Sequence, residues 1–178
     1  MMKRTCVLLL LVLASVLMPG GCKARELNYF SYRAKDFRTE LRGALHGVPF
    51  CAVVEVKRET GGYRVRAEYR SDPEGSAEFP LAGITVLAVC QPNGTVDGDA
   101  TVQYRGLAAE VKGEAIEGLL LPLASLLFAT SFSTVQRTEE GFLLGLEGGE
   151  LLLDNGMRPR VYRGEGITFS VLWWEASS

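Results

Sequence analysis

A chain of 178 residues fits one domain, or one domain plus a processed leader, and a composition 47% apolar and 22% charged is that of a globular protein and excludes a disordered one. Its formal charge of −2, from 19 basic and 21 acidic residues, gives no basic excess of the kind that binds nucleic acid. Twenty glycines call for many turns.

The first 22 residues carry the clearest signal. Lys3 and Arg4 precede an uncharged apolar run from Cys6 to Met18, and Pro19-Gly20-Gly21 ends it in small, helix-breaking residues. The run is 13 residues long, too short for the roughly 20 that a membrane-spanning helix needs. It reads as an export signal. Because Gly20 and Gly21 stop directly at Cys22, the segment resembles a bacterial lipoprotein signal, in which two small residues precede the cysteine that receives lipid. That family prefers Leu three places before the cysteine, where this chain has Pro19. The resemblance implies cleavage before Cys22 and anchoring to the extracytoplasmic face of a cell membrane through that residue. Residues 1–21 are then a signal peptide, 22–35 a tether and 36–178 a single β-rich domain. Without Lys3 and Arg4 the basic residues fall to 17 against 21 acidic, so the mature part is near −4.

Period-2 alternation begins at Phe37, Thr39 and Leu41, and Gly47-Val48-Pro49 is expected to turn the chain. Ala52, Val54 and Val56, then Tyr63, Val65, Ala67 and Tyr69, flank Gly61-Gly62 as a hairpin whose outward set Arg64, Arg66, Glu68 and Arg70 is a solvated charged face. A third pair runs from Ile84 to Cys90 and from Thr95 to Tyr104, around Gln91-Pro92-Asn93-Gly94. The unbroken apolar run 84–89 is expected to be covered on both faces.

From 107 to 134 the character changes. Apolar residues at 119, 120, 123, 126 and 127 follow helical spacing, and with Pro122 in a first turn they place an apolar helix at about 121–131. Strands resume at 142–146 and 150–153, Asp154-Asn155-Gly156 makes a hairpin turn, and the last strands cover 160–163 and 167–174.

The residues for familiar catalysis are missing. His46 is the only histidine, which removes most Ser-His-Asp and Cys-His routes, and it sits beside Gly47 as a turn residue. No cysteines stand at metal-ligand spacing, Gly61-Gly62 and Gly148-Gly149 lack the Lys-Ser or Lys-Thr of a phosphate loop, and Asp97-Gly98-Asp99 offers too few oxygens for calcium. The chain is therefore expected to be no enzyme and to hold no cofactor or metal. With Cys6 in the leader and Cys22 lipidated, Cys51 and Cys90 remain, either as a disulfide or as two separately buried thiols.

The expected architecture is mainly β with one or two short helices: a curved antiparallel sheet, an open half-barrel, with the apolar helix packed on its concave side. The order of strands, the Leu-Pro helix after a strand ending near Gly106-Leu107, and the stretch Leu-Asp-Asn-Gly-Met-Arg-Pro at 153–159 resemble the LolA-like half-barrels of lipoprotein carriers and lipoprotein-sorting proteins. The resemblance covers residues 36–178. The surplus of apolar residues, especially Leu119 to Phe128, points to a non-catalytic binding module for a lipid or acyl chain, with Leu123, Leu127 and Phe128 of the helix lining the apolar pocket and the membrane reached through Cys22. The alternative is a surface-anchored structural or protein-interaction lipoprotein whose apolar residues are plain core.

Overall fold

The computed structural model describes residues 29–72, 75, 78–92, 95–127 and 132–176, apart from the side chains at 33, 34, 121, 123–125 and 127. Cys22 and Phe128 lie outside the described residues, as do the side chains of Leu123 and Leu127. In chain order the strands are β1 (Phe37–Leu45), β2 (Val48–Glu59), β3 (Gly62–Arg70), β4 (Ile84–Cys90), β5 (Asp99–Tyr104) and β6 (Leu107–Lys112). One helix, α1 (Glu117–Leu127), follows, and then β7 (Phe132–Arg137), β8 (Gly141–Leu146), β9 (Gly149–Asp154), β10 (Pro159–Gly164) and β11 (Ile167–Ala176). Short 3-10 turns lie at Ser31–Ala34 and Gly113–Ala115.

The 11 strands make one antiparallel sheet in the order β6-β5-β4-β3-β2-β1-β11-β10-β9-β8-β7. Every neighbour is also the next strand in sequence except at the centre, where β1 pairs with β11 from Phe37↔Ala176 to Leu45↔Ile167. Two meanders are thus stitched together by the first and last strands, and β6 and β7, joined by the segment that holds α1, form the two free edges.

Alternation assigns the faces. Phe37, Leu41, Phe50, Val54, Val56, Val65, Ala67 and Tyr69 are almost wholly buried on the inner face of the first meander, and Leu144, Leu151, Leu153, Tyr162 and Phe169 on that of the second. A flat sheet of this many strands would be about 50 Å across at ~4.8 Å per strand, whereas a helix is only ~10 Å wide. The described helix alone cannot dry such a face; the sheet is open and half-barrel-like, and the inner side chains of both meanders join in one buried cluster. Gly43 marks the tightest approach: a Cβ there would stand 1.9 Å from the Thr168 carbonyl oxygen, against the strand that carries Phe169.

The seam of β1 and β11 is tied on both faces. Inside, the buried Thr39 hydroxyl donates to the Trp173 carbonyl at 2.6 Å and Phe37 stacks on Trp174 at 4.1 Å. Outside, Trp173 Nε1 donates to Glu40 Oε2 at 2.6 Å, and Cys51 Sγ lies 3.3 Å from Glu40 Oε1.

Several elements depart from the pattern read in the sequence. The first turn is His46-Gly47, with φ of 48° and 80°, and Val48-Pro49 already belong to β2. Helix α1 starts four residues before the expected 121, so Pro122 stands in its second turn and leaves one helical hydrogen bond unmade. Glu117 in its first turn suits the positive end of the helix dipole, a role its charge disguises in a search for apolar periodicity. Strands β6 and β7 were not expected at all. A disulfide between Cys51 and Cys90 does not form: both are free and buried. Their registers on β3 explain why, since Cys51 stands opposite Arg70 and Cys90 opposite Tyr63, seven residues apart, about 23 Å along the strand. They also face opposite sides, Cys90 inward and Cys51 outward.

Candidate functional site

The inner face does not end where the core ends. On the wing formed by β4, β5 and β6, the register sets Ile84, Tyr104 and Leu107 in one row, Val86, Val102 and Ala109 in the next, and Ala100 with Val111 beyond. All point inward and all are apolar, as a strand buried on that face requires. Yet burial falls off sharply outward: Val86 is fully buried, Tyr104 is 43% exposed and Leu107 is 77% exposed.

Val102, Tyr104, Leu107, Ala109 and Val111 floor a groove of about 310 Å³, closed at one end by Ala115 and the buried Ile116 just before α1. Among the described residues no charged side chain lines it. A hollow of about 290 Å³ on the same hairpin is more polar, lined in part by Thr85, Gln103 and Arg105. The groove is at the small end of the range for ligand sites, roughly 300–1,000 Å³.

Helix α1 is fixed beside it by two buried tyrosines. Tyr69 of β3 donates its hydroxyl hydrogen bond to the Leu119 carbonyl, and Tyr32 donates to the Leu126 carbonyl at 2.7 Å. Burial pushes the Tyr69 phenol well above its ordinary range, so it remains a donor at any physiological pH. Leu120 and Leu126 belong to the same buried cluster as Phe37, Val86 and Phe169. Of the pocket residues expected from the sequence, Leu123, Leu127 and Phe128 fall on the undescribed side chains, while the groove is floored by residues of β5 and β6 that the sequence reading did not single out. Their signal was present, as Val102, Tyr104, Leu107, Ala109 and Val111 alternate across the Arg105-Gly106 turn.

On the opposite wing, aromatic residues from the N-terminal side lie over the sheet. Residues 29–34, which the sequence places in the tether, send Tyr29 onto Phe132 and Phe142, each at 5.5 Å, and Phe30 onto Phe132 at 6.2 Å. Tyr32 meets Trp174 edge-on at 5.4 Å.

The remaining chemistry-bearing residues do not converge. His46 lies in its turn with its N–H bonded to the Gly166 carbonyl. Burial first, and the Glu40 carboxylate second, push the Cys51 thiol up to about 11, and burial alone takes Cys90 to about 11. Both stay protonated thiols at neutral pH and are poor nucleophiles. Among the described residues no three of His, Cys, Asp and Glu come together as metal ligands, and no helix is long and apolar enough to cross a membrane.

No protein-family model matches the chain, and no curated protein matches it significantly. Among solved structures it is similar to the crystal structure of MucB in complex with MucA(peri), with 14% identity and a TM-score of 0.47 over 87% of this chain. The chain spans 56% of that protein's length.

Proposed function

We propose that this chain is an extracytoplasmic lipoprotein, held to a membrane by lipid on Cys22, whose β-rich domain is a non-catalytic binding module for an apolar ligand such as an acyl chain. The observation that carries the reading is the bare apolar groove on the β4–β6 wing. Exposing Leu107, Tyr104 and Val102 to water is unfavourable by roughly 25 cal/mol per Å², and an acyl chain laid along them relieves it. In this reading α1 packs on the concave side of the sheet as the inner wall of the site, a placement supported by the tyrosine hydrogen bonds at its two ends and by the burial of Leu120 and Leu126.

Native mass spectrometry of the full chain purified from its membrane tests the proposal. A bound lipid of defined mass is expected, and Leu107→Asp is expected to lose it while melting at the wild-type temperature. A chain free of lipid that also fails to take up a fluorescent fatty acid would end this reading.

A second reading, a lipoprotein that docks a protein, is favoured by the outer face of the second meander. There Leu143, Leu152 and Val161 stand side by side in register, and Leu172, 47% exposed, lies at the bulge in β11 nearby. Retention of a partner that Leu152→Lys abolishes, with no lipid bound, would favour it.

A further inference from the structure

The two edges of the sheet are guarded differently. Exposed strand edges invite pairing with other chains, and proteins block them with bulges, inward charges or proline. Edge β7 has such devices: a register shift between Phe132 and Thr134, and Arg137, opposite Phe142 in register, with its guanidinium over the Phe142 ring. Edge β6, Leu-Ala-Ala-Glu-Val-Lys, has two charges, Glu110 and Lys112, on its outer side, but no bulge, inward charge or proline; it pairs with β5 without a shift, and its inner side is entirely apolar.

We propose that β6 pairs antiparallel with β6 of a second copy of this chain, with Ala109 on the two-fold axis. The register follows from geometry. The β5–β6 turn has two residues, Arg105 and Gly106, at φ of 48° and 82°, a type I′ turn whose closing pair, Tyr104 and Leu107, exchanges hydrogen bonds. Bonding pairs then alternate, so Leu107, Ala109 and Val111 bond to β5, while the main-chain groups of Ala108, Glu110 and Lys112 point outward.

A two-fold axis normal to the sheet must set inner residues opposite inner ones. Centring on Ala109 does so: Leu107 meets Val111 of the second copy, and Ala108 exchanges both hydrogen bonds with Glu110. Ala109 then meets itself in a close, non-bonded pair of about 4.5 Å between Cα atoms, where a small side chain fits. Centring on Glu110 also matches the faces but sets two carboxylates against each other. Because the interface is isologous and β7 is guarded, assembly stops at two copies instead of running on as a fibre. The two apolar grooves become one channel across the axis.

Sedimentation velocity of the full chain over about 5–200 µM reads the outcome, the range being chosen because an interface this small belongs to the weak class below about 1,200 Å². A reversible monomer–dimer equilibrium is expected in the parent, and a monomer throughout in Glu110→Pro, which removes an outward N–H without touching the groove. If that variant loses its far-ultraviolet circular dichroism, the decision passes to cysteine scanning. Ala109→Cys should then form an intermolecular disulfide on mild oxidation, well above the parent, and Val111→Cys should not. A parent that stays monomeric, a dimer unchanged by Glu110→Pro, or equal cross-linking at 109 and 111 would overturn the proposal.

Discussion

The two ends of the sheet pose the same physical problem and solve it differently. Each is a short meander whose inner face is mostly apolar and runs from the buried core out to an edge strand. On the β7–β8 end, Tyr29 and Phe30 lie over Phe132 and Phe142, and only Val135 on the edge strand stays exposed among the large apolar side chains described there, at 38%. On the β4–β6 end the Arg105 guanidinium lies over the Tyr104 ring at 5.1 Å, yet Tyr104 stays 43% and Leu107 77% exposed. In the proposed reading, the apolar surface left wet at this end is where the ligand lies.

Stability should separate the ends most strongly. Leu144, fully buried on the covered end, is expected to cost about 2–5 kcal/mol as Leu144→Ala in urea unfolding. The same change at Leu107, 77% exposed, is expected to cost no more than about 0.5 kcal/mol. Comparable losses at both sites would mean that the β4–β6 end is covered after all.

Next in size is the hold on α1. Tyr69→Phe deletes the hydrogen bond to the Leu119 carbonyl and is expected to cost about 0.5–1.5 kcal/mol, with a matching rise in amide exchange through the first turn of the helix. No change in exchange there would show that the helix is held by its apolar side chains alone.

The smallest effect is in the pH dependence. Cys51 and Cys90 both have folded pKa values raised from 9.0 to about 11, so the unfolded chain loses these protons first. Their contribution to stability is complete below about pH 9 and is lost as pH rises from 9 through 11. Cys51→Ser with Cys90→Ala should flatten that limb of a pH–melting curve, and thiol reagents at pH 8 should modify neither cysteine of the folded parent. Rapid modification would contradict their burial.

How far the sequence announced this arrangement depended on burial. Strands β1, β2, β3 and β11 were legible because one face of each is buried, so that Phe37-Thr39-Leu41 or Ile167-Phe169-Val171 writes a period of two. Edge strands β6 and β7 escaped because neither of their faces is forced to be apolar by the core: Ser133, Thr134 and Gln136 show no alternation, and Ala108-Ala109-Glu110 reads equally well as helix. The groove escaped with them, since its floor is divided between β5 and the unrecognised β6. Burial of Cys51 and Cys90 was weighed from residue type, but the faces they occupy follow only from the register of β3.

The account rests on the β4–β6 wing being the ligand site, and photo-crosslinking locates a ligand directly. The full chain would be incubated with a fatty acid carrying a photoactivatable diazirine, irradiated, digested and mapped by mass spectrometry. Saturable labelling confined to the peptides holding Val102–Leu127, and suppressed by unlabelled fatty acid, is the predicted result. Labelling that does not saturate, or that falls on the Leu143, Leu152 and Val161 row instead, would contradict it.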